Sequence, residues 1–304
     1  MHQPDKIVTS SLLKLADELN LPYFPEPPPI SHYTRVNDIN LHSIRWGNPK
    51  NPTILALHGF GQTAHSWDLI GLSLAKDYHF ISLDQRGHGD SDWSKDKDYS
   101  SKAYLNDLKT YIEINQLKSI ILMGLSMGGK NAYSYVALNP SVVKGLIIVD
   151  AAPETGDFGK QSIKRFLEQV DKPASFDDFV DSVKAYNPHR NIDQIRGSLI
   201  NNLRQLTDGK WTWKYDKHLR EHFGKTGNSK EADHWKYLKL IKCPTLIIRG
   251  ENSQIVSQEI AETMLCHFKK GKLTTISDSG HLVPGDNPKA FHSAVTQFLS
   301  EIYK

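Results

Sequence analysis

Cysteine is nearly missing from this chain: Cys243 and Cys266 are the only two among 304 residues. Two thiols cannot build a disulfide framework, and neither sits in a C-x-x-C or other metal-ligand spacing, which excludes a stapled scaffold and a cysteine-held zinc. The usage suits a reducing compartment, and a cytoplasmic protein is expected. Long apolar runs are missing too. The stretch from Ser119 to Leu125 falls far short of the ~20 residues that span a bilayer, so no membrane partner is expected. Met1 to Ile7 is polar and Leu12-Leu13 runs at once into Lys14, which leaves no apolar stretch for a secretion signal. Charge of one sign is also lacking: 37 Lys and Arg face 34 Asp and Glu for a net +3, too weak a field to attract nucleic acid. None of the 14 histidines falls in the H-E-x-x-H spacing of a zinc helix. No metal and no cofactor is expected.

Apolar sequence is plentiful enough for a sizeable core, at 38% of the residues, and the length allows one large domain or two ordinary ones. Short apolar runs at 53–57, 80–83, 120–123, 145–149, 245–248 and 273–276 alternate with helical segments. Runs that are apolar on both alternations belong to strands covered on both faces, so the class is α/β with a mostly parallel sheet. Ahead of them, 31–36 and 41–46 flank Asn37-Asp38-Ile39-Asn40 and read as an antiparallel hairpin. Leu12, Leu15, Ala16 and Leu19 share one helical face before Pro22, Pro25 and Pro27 to Pro29 stop the helix. Residues 1–29 are therefore expected to form a helix and a proline-rich strap lying on the body.

Between 153 and 240 the alternation lapses into helical patches at 163–170, 176–186, 195–206 and 235–240, with no strand run. A helical insertion at the carboxyl end of a strand lies over the crevice where open α/β sheets bind ligands. Residues 153–240 are read as a cap on a core made of 30–152 and 241–304. Its aromatic residues Phe166, Phe179, Tyr186, Trp211 and Trp213 are expected to build mostly the cap's own core, with one or more lining the crevice. The cap carries 16 Lys and Arg against 13 Asp and Glu, which suits a carboxylate-bearing substrate or simply a solvated helical surface.

Met123-Gly124-Leu125-Ser126-Met127-Gly128-Gly129 follows a buried-strand run and opens a helical one, the setting a G-x-S-x-G nucleophile elbow requires. Side chains two positions either side of the serine would collide in so tight a turn. Glycine at 124 and 128 removes that collision and lets Ser126 present its hydroxyl at a helix start. An oxyanion on the substrate needs two fixed N–H donors. Met127 is expected to supply one and Phe60, in His58-Gly59-Phe60-Gly61 after the 53–57 run, the other; His58 is read as a brace for that loop. His281, in Asp278-Ser279-Gly280-His281 after the last strand run, is the expected general base, because imidazole takes and returns a proton near neutrality.

H-G-F-G at 58, D-Q-R-G-H-G-D-S at 84–91, G-L-S-M-G-G at 124 and S-G-H at 279–281, four motifs in order, resemble the α/β-hydrolase family over residues 30–304. The resemblance implies an eight-stranded, mostly parallel sheet with a helical cap after the sixth strand, and loop-shaping roles for Asp84 and Arg86. In many members the triad acid lies on the loop after the seventh strand, three residues past a glycine. Here that loop reads Arg249-Gly250-Glu251-Asn252-Ser253-Gln254 and the place is held by serine. Members with serine there often carry the acid at the end of the sixth strand, which here is Asp150, so Asp150 is the expected acid; Glu251 and Asp278 are the alternatives. This placement, with G-H-L-V-P-G-D-N-P at 280–288, resembles the branch containing (E)-2-(acetamidomethylene)succinate hydrolase. Serine, histidine and an oxyanion hole imply hydrolysis of a small-molecule ester, lactone or amide through an acyl-enzyme. Carbon-carbon bond hydrolases of ring-cleavage products usually show asparagine before the serine and tryptophan after the histidine, where Leu125 and Leu282 stand. They and ligand receptors with little turnover are the alternatives. A small acyl compound is the expected partner of a monomer or homodimer.

Overall fold

A computed structural model describes residues 8–156, 159, 161, 165, 172–186, 190–223 and 234–304. After helix α1 (Ser10–Glu18), capped by the Thr9 hydroxyl on the Leu12 N–H, strands β1 (Ile30–Val36) and β2 (Ile39–Trp46) form the expected hairpin. Asn37 turns it with φ +53°, a conformation asparagine tolerates better than most residues. There follow β3 (Thr53–Leu57), a 3-10 turn (Ala64–Trp67), α2 (Asp68–Leu74), β4 (His79–Leu83), α3 (Ser101–Ile114), β5 (Ile120–Leu125), α4 (Met127–Leu138) and β6 (Val143–Val149). Beyond an insertion come β9 (Thr245–Gly250), α9 (Gln258–Leu265), β10 (Gly271–Ile276), α10 (Val283–Asp286) and α11 (Pro288–Ile302). The eight strands order as β1-β2-β4-β3-β5-β6-β9-β10, and only the β1/β2 and β2/β4 pairs are antiparallel. This is the α/β-hydrolase fold.

The apolar runs divide by alternation, as successive side chains on a strand face opposite ways. Leu55, Leu57, Leu122 and Ile148 join one core with residues of α3, α4 and α9, whereas Ile54, Ala56, Ile121 and Ile147 join another with residues of α1, α2 and α11. Each such Leu or Ile side chain contributes roughly 1.5–3 kcal/mol by full burial.

The insertion between β6 and β9 holds α5 (Phe176–Tyr186), α6 (Ile192–Asn202), β7 (Leu203–Gln205), β8 (Trp211–Trp213), α7 (Lys217–Phe223) and α8 (His234–Leu240). It is not wholly helical. The helix expected over 195–206 stops at Asn202, and the chain turns into an antiparallel hairpin pairing Leu203 with Trp213 and Gln205 with Trp211. Three-residue strands are too short for a period-2 pattern to show, but Asp208-Gly209 at the turn, with Gly209 at φ +84°, is a hairpin signal. The patch expected at 163–170 lies outside the described residues, Arg165 excepted. Among the described residues no helix is long and apolar enough to cross a membrane.

Candidate active site

Ser126 joins β5 to α4 at φ +53° and ψ −115°, a strained conformation for a residue with a side chain. The two glycines make the turn possible. A Cβ on Gly124 would stand 2.2 Å from the Gly128 carbonyl oxygen, and one on Gly128 would stand 2.3 Å from that of Leu57. The Met127 N–H heads a 12-residue helix, and the first N–H groups of a helix have no partner within it. The helix's positive end therefore lies beside the serine.

The ladder between β5 and β6 pairs Leu125 with Val149 and continues through a bond from Ser126 N–H to the Val149 carbonyl, 3.0 Å. Ser126 and Asp150, which has φ +43°, thus leave adjacent strands at the same sheet edge. Asp150 is buried. Its Oδ2 accepts from His281 Nδ1 at 2.6 Å and from the Ser253 hydroxyl at 2.5 Å, and its Oδ1 accepts from the Gly250 N–H at 3.1 Å. The Ser253 oxygen in turn accepts from the N–H groups of Ile255, 3.1 Å, and Val256, 3.2 Å. Serine at the family's usual acid position is therefore built into the carboxylate's cradle, a role the sequence reading did not assign it. Gly250 lets the loops after β9 and β10 touch: a Cβ there would lie 2.0 Å from the Gly280 carbonyl oxygen. The alternative acids are elsewhere. Glu251 is exposed and accepts from the exposed Asp278 N–H at 3.2 Å.

The loop carrying Phe60 is held from behind. His58 is fully buried, donates from Nδ1 to the Gly59 carbonyl at 2.8 Å, and accepts at Nε2 from the Gln85 N–H at 3.0 Å; Gln85 also spans the His58 carbonyl and Asn131 of α4. Burial pushes the His58 imidazole below its ordinary value. Asp84 accepts from His42 at 2.7 Å and from the N–H groups of Ala64, 2.6 Å, and Asp90, 3.0 Å. Burial alone would lift its carboxyl, but the hydrogen bond and charge of His42 outweigh that and hold it well below the ordinary carboxylate value. Arg86 forks onto Asp107 of α3 at 2.5 and 2.9 Å, so both motif residues hold the 84–91 segment in place.

Ser126, His281 and Phe60 face one cavity of about 780 Å³. Of the aromatic residues singled out in the insertion, Trp213 lines it. Phe179 is fully buried edge-on to Trp213, and Trp211 packs edge-on against Phe176, so both serve the insertion's own core. Met127 packs against that same core. Tyr186 ends α5, and Phe166 lies outside the described residues. Three parts of the wall were not anticipated: Leu12 and Leu15 of α1, His65 and Arg190. His65 meets Asp68 at 2.7 Å. Burial works against its charge, but Asp68 outweighs that and lifts it to about 9.

Strand order, elbow and the loops after the sixth and eighth sheet strands define a hydrolase scaffold of the α/β class. Residues 52–288 match the family described as alpha/beta hydrolase fold, and the chain belongs to it. It is 29% identical over 281 residues to the esterase Rv0045c of Mycobacterium tuberculosis, covering 89% of this chain and 90% of that one. With the 3-hydroxybutyrate-oligomer hydrolase of Cupriavidus necator it shares 26% over 261 residues, covering 81% and 89%. The crystal structure of E-2-(acetamidomethylene)succinate hydrolase superposes with a TM-score of 0.79 at 21% identity, covering 90% of this chain and 99% of that one, a likeness of fold.

Proposed function

We propose that the chain is a serine hydrolase of a small acyl compound, an ester first and a lactone or amide by the same chemistry. Ser126 attacks the carbonyl carbon as His281 takes its hydroxyl proton; the tetrahedral oxyanion accepts from the Phe60 and Met127 N–H groups. Collapse expels the alcohol, which receives the proton from His281, and leaves an acyl group on Ser126. Water, deprotonated by His281, then releases the acid. Asp150 fixes the Nδ1–H tautomer and offsets the charge of the imidazolium. None of these steps calls on a cofactor. The reading is carried by one observation: the strained Ser126 shares a cavity with His281, whose other ring nitrogen contacts a buried carboxylate at 2.6 Å. The insertion serves as the cap that selects the substrate. The esterase relatives favour the ester.

A fluorophosphonate probe tests this, since only an activated hydroxyl attacks phosphorus quickly. Intact mass should show one adduct on the parent protein and none on Ser126→Ala. An unlabelled parent, or an Ala variant that still takes one adduct, would overturn the assignment.

A further inference from the structure

Six ionisable side chains other than His281 line the cavity: Lys14, Glu18, His65, Asp68, Arg190 and Asp193. Most have their charge settled. Lys14 and Glu18 pair in water with side chains 77% and 59% exposed, Asp193 is exposed, and His65 meets Asp68 at hydrogen-bond distance. Arg190 differs. Its side chain is only 10% exposed, yet its nearest acid, Asp286, lies 3.7 Å from Nε, beyond hydrogen-bond distance, and Nε has no hydrogen-bond partner among the described residues. Asp286 has another engagement, with Oδ2 accepting from the Gly280 N–H at 3.0 Å beside His281. A guanidinium offers five donors in a planar fork, and burying it with donors unmet is costly unless an anion completes it. Burial indeed pulls the Arg190 group below its ordinary value, with Asp286 only opposing that.

We infer that the compound hydrolysed here carries a carboxylate and that Arg190 binds it through its Nη groups, Nη2 lying beside Gly285 on the cavity wall, while Nε faces Asp286. This rests on the hydrolase reading above and adds the substrate class. The competing role is a latch, with Arg190 joining the insertion to α10 through Asp286 and touching no substrate. A latch acts on every substrate alike, whereas a subsite changes the ratio between charged and neutral ones.

Two matched pairs of esters place the charge on either side of the scissile bond: mono-4-nitrophenyl glutarate against its methyl-capped diester, and 4-carboxyphenyl butyrate against phenyl butyrate. In one pair the wild-type protein should favour the charged ester in kcat/KM by at least about tenfold. Arg190→Gln should reduce that preference by roughly 10- to 100-fold, the range expected for hydrogen bonds to a charged group, and mainly through KM. Arg190→Lys should fall between. Free glutarate should compete with a neutral ester in the wild-type protein where glutaramide does not, a measurement that needs no variant. The subsite is refuted by equal treatment of both members in both pairs, by an unchanged ratio in Arg190→Gln, or by glutarate failing to compete. Turnover of neutral esters with no charge preference leaves the hydrolase reading standing; absence of turnover on all four esters removes both.

Discussion

Replacing Asp150 by asparagine changes one atom and sets three donors against a side chain that can satisfy only some of them. With the amide oxygen at the Oδ2 position, His281 Nδ1–H and the Ser253 hydroxyl keep their acceptor, but the amide NH2 faces the Gly250 N–H 3.1 Å away, a backbone group that cannot turn aside. Flipped, the NH2 faces Ser253, whose two lone pairs already receive Ile255 and Val256, and forces the proton of His281 onto Nε2. That nitrogen then cannot accept from Ser126. Either way one buried polar group is left unmet, which costs about 1–3 kcal/mol of stability, tolerable for a domain of ordinary stability. The imidazolium of the transition state also loses its counter-charge, worth roughly 4 kcal/mol for charges ~4 Å apart at an effective dielectric near 20. Together with the wrong tautomer, this places the loss in kcat at about 10³- to 10⁴-fold. Steady-state hydrolysis of 4-nitrophenyl butyrate, with circular dichroism to confirm folding, measures it; Glu251→Gln should cost about tenfold or less. A folded Asp150→Asn protein within tenfold of wild type would refute the reasoning, and a larger loss in Glu251→Gln would move the acid to the β9 loop.

Trp213→Ala should shift the rank order of kcat/KM across acyl chains of increasing length, because Trp213 lines the cavity, whereas Trp211→Ala should lower the melting temperature and leave that order intact; identical profiles for the two would count against the division. The Asp84 carboxyl is held below its ordinary value of 3.8, so its stabilisation is present above that pH and is lost as pH falls through the folded value. In urea unfolding, the stability gap between wild type and Asp84→Asn should stay level from about pH 5 to 8 and shrink below about pH 4. A gap that persisted unchanged at pH 3 would contradict this account.

The local signals in the sequence sufficed for the sheet and the elbow. Short runs apolar on both alternations mark strands covered on both faces, as β3, β4, β5 and β9 are, and Gly124 and Gly128 flank Ser126 because a Cβ at either would strike backbone at 2.2 or 2.3 Å. His58 was legible as a brace from its place in the loop after β3, and Asp84 and Arg86 as loop residues from the motif they share with the family, although their partners His42 and Asp107 lie on β2 and α3. Tertiary structure decided the rest. Three acids were open in sequence, and the contact that sets Asp150 beside His281 joins residues 131 positions apart, which the loops after β6, β9 and β10 create together. The hairpin in the insertion was missed because three residues carry no period. The apolar face of α1 announced a helix but not its neighbour, so Leu12 and Leu15 could not be placed on the cavity wall. Arg190 stood among sixteen basic residues of the insertion with nothing local to distinguish it. Burial beside an occupied carboxylate is a property of packing, and no spacing in the chain encodes it.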